Sequence, residues 1–377
     1  MPTIIDLQAL GDAPGTVEVV ANALLAGDFV VLPFESSYVT AVLPDWHGRR
    51  DNSHLERFAA SHAALAFRDF ASIDDLAGPI SGRPLRLLRR CWPGTPIVEF
   101  SGLRDDPRLQ LLPEAIKARL FDDGCLRTAV PRHDFVRKLL RHFPGPLVVS
   151  VASHPDDHWS TATAVSRAIG TQIDMLVDDG PTRYDQPATI VRIDGLRVQV
   201  VAEGVLSAKA IERMSGEMIL FVCTGNTCRS PMAESLCRRK LARRLNCSDD
   251  DLLDHGFSVM SAGLAAHRGA PAASNAVEIL DEDGIDLRGH ESQMLTRALL
   301  EQADRVVTMT RSHRDSIVSS TPEFAHKVRL LCPSGRDLAD PIGGGEQEYR
   351  QCLEQISNHL DALLDEILGD EGGARTS

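Results

Sequence analysis

The spacing of apolar and polar residues changes character along this chain of 377 residues. Residues 16–27 place apolar side chains at helical intervals and predict an amphipathic helix; residues 28–32 read as a buried strand, with a further apolar stretch after residue 38. Residues 78–90 open with turn residues and continue as a basic, Leu-rich helix that Trp92-Pro93-Gly94 ends. A helix is expected over 131–143, and strands over 146–151 and 174–177. Residues 189–193 and 198–201 read as a hairpin around Asp194-Gly195. Beyond a polar connector at 207–217 the rhythm becomes regular. Apolar runs at 218–223, 257–261, 305–309 and 327–331 alternate with helical patterns, and a long amphipathic helix spans about 346–368. That alternation predicts a parallel sheet covered on both faces. The expected fold class is therefore α/β in two domains. The first, residues 1–206, has a mixed sheet. A linker at 207–216 leads to a four-stranded parallel domain at 217–368, and residues 369–377 are expected to be a disordered tail.

Composition narrows the picture only slightly. An apolar content of 43% supports two cores. The net charge of -13 argues against a broad nucleic-acid footprint. Residues 1–210 hold 22 Lys and Arg against 26 Asp and Glu, leaving 18 against 27 for the remainder, so the acidity lies mostly in the second half. The eight cysteines match no zinc or disulfide framework, which fits reduced thiols and a cytoplasmic location. The first residues lack a basic, then apolar, signal pattern, and no apolar run reaches membrane-spanning length. No metal or cofactor is called for. His154 and His158 are four apart, but Pro155 between them disfavours a helical metal pair.

The candidate chemistry sits at 223–230. An apolar strand ends at Cys223, and Thr224, Gly225, Asn226, Thr227 and Cys228 form a short loop before Arg229, Ser230 and Pro231 open a helix. Inward-pointing loop N–H groups at a helix start make an anion nest, and the same field favours a thiolate at Cys223. Arg229 offers a planar fork for two phosphoryl oxygens. Ser230 is placed to hydrogen-bond the thiolate. A buried structural cysteine is the bland alternative. Far downstream, Asp340-Pro341-Ile342 and three glycines precede the long helix. An Asp on such a loop can protonate a leaving group, although Asp-Pro is also a common turn.

Residues 217–368 resemble the low-molecular-weight protein tyrosine phosphatases. The matching segments are Cys223 through Glu234, Ser261-Ala262-Gly263, Gly284-Ile285-Asp286-Leu287 with His290, and Asp340-Pro341. The resemblance implies Cys223 as nucleophile, Arg229 as transition-state clamp, Ser230 as thiolate stabiliser and Asp340 as general acid, then base. It implies that Asn226 bonds Ser261 and His290 to hold the loop rigid. It also implies that Cys223 and Cys228 can form a reversible disulfide, with a simply packed Cys228 as the alternative. The loop is especially similar to bacterial protein-arginine phosphatases, where Thr at the position of Thr227 implies a preference for phosphoarginine. Ile342 departs from both subgroups. Arsenate reductases on this fold need a relay cysteine, and none lies between Cys247 and Cys332.

Residues 14–205 resemble the threonylcarbamoyl-adenylate synthases, which use ATP, threonine and bicarbonate in tRNA modification. Gly27 through Pro33 with Glu35 and Tyr38, Trp92-Pro93-Gly94, Val130-Pro131 with His133, and Gly145-Pro146-Leu147 carry the likeness. The motifs are eroded. Phe34 and Val39 replace Thr and Gly, the basic stretch is missing near 57–68, and Val151-Ala152-Ser153 stands for Ser-Ala-Asn. Ala129 replaces Arg, and Pro187-Ala188-Thr189 stands for Glu-Ser-Thr. Without these groups, triphosphate binding is expected to fail. The expected function is a cysteine-dependent phosphatase acting on phosphotyrosine or phosphoarginine in a protein partner. The alternative is a nucleotide- or RNA-binding module with a regulatory phosphatase.

Overall fold

The computed structural model describes residues 2–10, 15–44, 62–151 and 158–375. It divides into two compact units, residues 1–215 and 216–377. Residues 57–61 of the segment that lacks the basic stretch, together with Ala152, Ser153 and His154, lie outside the described residues.

The first unit is built on a mixed sheet. Among the described residues it has eleven strands, with Phe121–Asp122 paired off the main path. Thr3–Asp6 and Val30–Pro33 flank Met175–Asp178 in parallel, and Val30–Pro33 pairs antiparallel with Tyr38–Val42. The path continues through Leu147–Val151, His62–Ala66, Cys125–Ala129 and Ile97–Phe100 to the hairpin Ile190–Asp194 and Arg197–Ala202. The apolar pattern did not point to His62–Ala66 or Cys125–Ala129. The first is mostly alanine, a weak strand former, and is held by pairing with Leu147–Val151 on one side and Cys125–Ala129 on the other. The second carries a buried Arg127, which the register places opposite Glu99. Glu99 accepts from Arg127 Nε at 3.0 Å and from Arg192 Nε at 2.9 Å, so its buried charge is compensated across three strands.

The segment expected as a linker is mostly helical. Ala208–Ser215 buries Ile211 and Ser215 within the first unit. It pairs Glu212 with Arg83, and the Ser215 carbonyl accepts from Arg86 Nε at 3.0 Å. Its polar face reads as a connector only until the basic helix Gly82–Cys91 supplies partners.

The second unit has a four-stranded, all-parallel sheet in the order Phe257–Gly263, Glu217–Cys223, Arg305–Thr308, Val328–Leu330. Alternate residues of the first strand enter different cores. Ile219 and Phe221 join the cluster beneath the helices Arg229–Leu245 and Glu346–Arg375, while Leu220 and Val222 join the cluster with Leu300 and Ile317. Both faces are covered, as a parallel sheet requires. Ile356, Leu360, Leu364 and Ile367 bury one stripe of the last helix, whose outer side pairs Asp361 with Lys240 and Arg244. The helix continues to Arg375, past the expected start of a disordered tail at 369. Once three turns are anchored, each further residue adds one backbone hydrogen bond, and Gly369 does not stop it.

Candidate active site

The strand Glu217–Cys223 lies between the second and third strands of its sheet, so the chain leaves it at a topological switch point. Ligands of open α/β sheets bind at the carboxyl ends of strands at such points. Residues 224–228 make the turn, and Asn226 adopts the left-handed conformation with φ 55°. An Asn tolerates that backbone better than most residues. Gly263 makes the turn possible. A Cβ there would sit 2.6 Å from the Thr224 carbonyl and 2.9 Å from the Asn226 nitrogen. The Leu264 and Ala265 N–H groups donate to the Cys223 and Thr224 carbonyls at 3.0 and 2.9 Å, fastening the loop to the neighbouring strand.

Cys223 is 3% exposed. Its Sγ lies 3.0 Å from Ser230 Oγ and receives the Asn226 N–H at 3.3 Å. Both groups can donate to a thiolate. Asn226 is the hub of the cradle. Its Nδ2 donates to Ser230 Oγ at 3.0 Å and to Ser261 Oγ at 2.8 Å, and its Oδ1 accepts from the Gln293 N–H at 2.9 Å. Its carbonyl meets His290 Nε2 and the Ser292 hydroxyl, each at 2.7 Å. Ser261 in turn donates to Glu234 Oε2 at 2.6 Å. The network therefore has a direction. Ser261 gives its proton to Glu234 and accepts from Asn226. Ser230 also accepts from Asn226, which leaves its own proton for Cys223 at 3.0 Å or, at a longer 3.5 Å, for the Ala262 carbonyl. Burial pushes the Glu234 carboxyl up, against the pull of the Ser261 hydroxyl and His290.

Arg229 is 5% exposed, and its Nη1 donates to the Leu338 carbonyl at 3.3 Å. Its Nη2 pairs with Asp340 Oδ2, so clamp and acid meet at one mouth. Asp340 is partly exposed, and its Oδ1 accepts from the Ile342 N–H at 3.3 Å. Ile342 itself is 68% exposed, and Gly343 adopts φ 78° to turn the loop toward the last helix. Cys228 is buried and faces Tyr349 Oη at 3.2 Å. Thr227 is half-buried, with its Oγ1 3.6 Å from Cys228 Sγ. Thr224 Oγ1 lies 2.9 Å from Nε2 of the buried His313. Burial, then the Arg229 charge, hold the His313 imidazole below its ordinary range. Gly225 is half-buried beside Thr227.

The structure thus brings together every residue singled out in the loop, with Arg229, Asp340, Ser261 and His290. Sequence reasoning did not single out Glu234, Gly263, Ser292, Gln293, His313 or Tyr349. Glu234 ends the loop motif and Gly263 follows Ser261, so both were in view without a role. The others carry no local signal. Among the described residues no group of His, Cys, Asp and Glu is arranged to hold a metal ion, and no helix is long and apolar enough to cross a membrane.

The family model described as Low molecular weight phosphotyrosine protein phosphatase matches residues 218–372. The Sua5, YciO and YrdC family model, described as Telomere recombination, matches residues 54–204. A protein-arginine-phosphatase of Geobacillus stearothermophilus is 35% identical over 153 residues, 40% of this chain and 95% of that protein. A probable low molecular weight protein-tyrosine-phosphatase, EpsP, of Ralstonia nicotianae is 37% identical over 150 residues, 40% of this chain and 94% of that protein. An arsenate reductase of Bacillus cereus is 33% identical over 142 residues, 38% of this chain and 90% of that protein.

Proposed function

Through residues 218–372 this chain belongs to the low molecular weight phosphotyrosine protein phosphatase family and is a phosphatase hydrolase; on that premise we propose that it cleaves phosphoarginine in proteins, in preference to phosphotyrosine, through a thiophosphate on Cys223. The observation that carries the mechanism is the pair of donors on Cys223 Sγ, at 3.0 and 3.3 Å, beside the Arg229–Asp340 mouth. A phosphoryl dianion entering the cradle takes the Arg229 fork and releases Asp340 from it. The Cys223 sulfur attacks phosphorus, the S–P bond forms and the P–N or P–O bond breaks. Asp340, freed from Arg229 and protonated from solvent, gives that proton to the departing nitrogen or oxygen. Arg229 and the loop amides hold the equatorial oxygens, where one well-placed donor contributes about 3 kcal/mol. Water then attacks phosphorus, Asp340 takes its proton, and the S–P bond breaks to free phosphate and the thiolate.

Two features favour a guanidinium over a phenyl ring. Among the described residues the Thr227 hydroxyl has only the Cys228 sulfur as a hydrogen-bond partner, which leaves it available to a guanidinium nitrogen. Ile342, beside the acid, offers no ring against which a phenyl group would stack. The relative from Geobacillus stearothermophilus bears the name protein-arginine-phosphatase, which supports the reading. Rapid acid quench followed by mass spectrometry tests the mechanism: a phosphorylated Cys223 peptide is expected, and phosphate on any other residue overturns it.

A second reading concerns residues 1–215, as a nucleotide- or RNA-binding module that has lost synthase chemistry. Thr189 supports the loss. Its hydroxyl donates to the Leu206 carbonyl at 2.7 Å and accepts from the Gly204 and Leu206 N–H groups at 3.2 and 2.8 Å. It is used up within the fold. Calorimetric titration with ATP is expected to show no micromolar binding, and such binding would restore the synthase reading.

A further inference from the structure

Among the described residues, three that line one cavity in the first unit each hold a buried side-chain polar atom with no hydrogen-bond partner: Glu35 Oε1, His133 Nδ1 and Arg137 Nε. Leaving such an atom unpaired costs about 1–3 kcal/mol, so three around one space need an explanation. The cavity measures about 610 Å³, room for a small organic ligand, and among the described residues its lining comes from between Pro33 and Arg183.

The three atoms define what they would accept. Glu35 is 8% exposed. Its Oε1 is an unpartnered acceptor. His133 Nε2 faces Asp179 Oδ2 at 3.0 Å, and the tautomer with its proton there presents Nδ1 as a second acceptor. Two deep acceptors call for a group rich in N–H donors. The remaining lining has the opposite character. Arg137 brings its unpaired Nε–H, and the exposed Arg132 and Arg183 bring two further forks. Asp179 is engaged by His133, and the exposed Asp134 offsets one arginine. Two forks are left for one anion. A carboxylate is satisfied by a single fork, whereas a phosphoryl dianion uses both.

We propose that this cavity binds a phosphorylated guanidinium group, so that the chain carries a second, non-hydrolytic phosphoarginine site besides its phosphatase loop. Glu35 and His133 take the guanidinium N–H groups, and two of the three arginines Arg132, Arg137 and Arg183, Arg183 among them, take the phosphoryl oxygens. The choice of ligand rests on the phosphoarginine reading of the phosphatase, but the site is formed by other residues. Two phosphoryl sites in one chain would raise the effective concentration of a multiply modified protein at the hydrolytic one.

The test is calorimetry on the full chain carrying Cys223→Ser and Arg229→Met together, which removes the phosphoryl grip of the catalytic loop. Free phosphoarginine is titrated, with inorganic phosphate and L-arginine as separate probes. One remaining site for phosphoarginine is expected, with both simpler probes at least about tenfold weaker. Adding Glu35→Gln or the exposed Arg183→Gln is expected to weaken it by about tenfold or more. Because the Arg183 variant alters only a surface side chain, its result stands even if Glu35→Gln unfolds the unit. Loss of all binding in the double variant, equal binding of arginine or phosphate alone, or indifference to Arg183→Gln overturns the proposal. Hydrolysis by the unmodified chain is scored separately, so failure of the catalytic reading shows as absent turnover with this binding retained.

Discussion

Asn226 holds more of the catalytic loop than any other side chain, and replacing it separates two physical terms. Its side chain makes three hydrogen bonds, two of them buried, to Ser230 and Ser261, and one part-buried, from the Gln293 N–H. At about 1 kcal/mol each, their loss in Asn226→Gly costs about 3 kcal/mol. In Asn226→Ala the same bonds vanish but the Cβ already held at φ 55° stays, whereas Gly relieves that strain, so Ala is expected to be less stable than Gly by about 1–2 kcal/mol. Both variants free Ser230 to turn away from Cys223, so kcat is expected to fall by about ten- to a hundredfold. Urea unfolding reads the stability difference. All three tryptophans, Trp46, Trp92 and Trp159, precede residue 160, so their emission follows the first unit. Far-UV circular dichroism follows both units. The part of its transition without a fluorescence counterpart reports residues 216–377. That part is expected to move to lower urea in both variants, further for Ala than for Gly, while the fluorescence transition holds still. Equal stability of the two variants would refute the backbone argument, and wild-type kcat in either would refute the cradle.

Gly263→Ala drives a Cβ against the Thr224 carbonyl and the Asn226 nitrogen, and is expected to cost about 1–3 kcal/mol and to lower kcat/KM; unchanged kinetics would mean the loop does not need that close approach. Asp340→Ala is expected to slow turnover by about 10²–10⁴ while vanadate still binds, because Arg229 and the loop amides remain; lost vanadate affinity, measured by inhibition or calorimetry, would make Asp340 a binding rather than an acid–base group. His313 titrates below its ordinary value of 6.5, so the unfolded chain binds more protons than the native one between that lowered value and 6.5. Stability of the second unit should therefore rise with pH through this window and level off above 6.5, and His313→Gln should flatten the rise in a pH series of urea titrations. A steeper rise in the variant would reverse the assignment.

Much of the second unit was readable because its signals are local. A strand, a glycine turn and a helix start follow one another at 217–231, and the core stripe of the last helix repeats at helical spacing. Gln293 and Ser292 were invisible for the opposite reason. They reach Asn226 from more than sixty residues away, through a backbone N–H in one case, and no pattern in their own neighbourhood marks them. In the first unit His62–Ala66 lacks the branched residues that announce a strand, so its two neighbours decide its conformation. The helix Ala208–Ser215 was hidden because its partners, Arg83 and Arg86, lie over a hundred residues upstream.

The most direct test of the central claim is a steady-state assay of the purified full chain on matched phosphoarginine and phosphotyrosine peptides, with Cys223→Ser as the blank. A higher kcat/KM on phosphoarginine, with no turnover in the variant, is the expected result. A preference for phosphotyrosine would contradict the roles given to Thr227 and Ile342, and full activity of Cys223→Ser would contradict the mechanism itself.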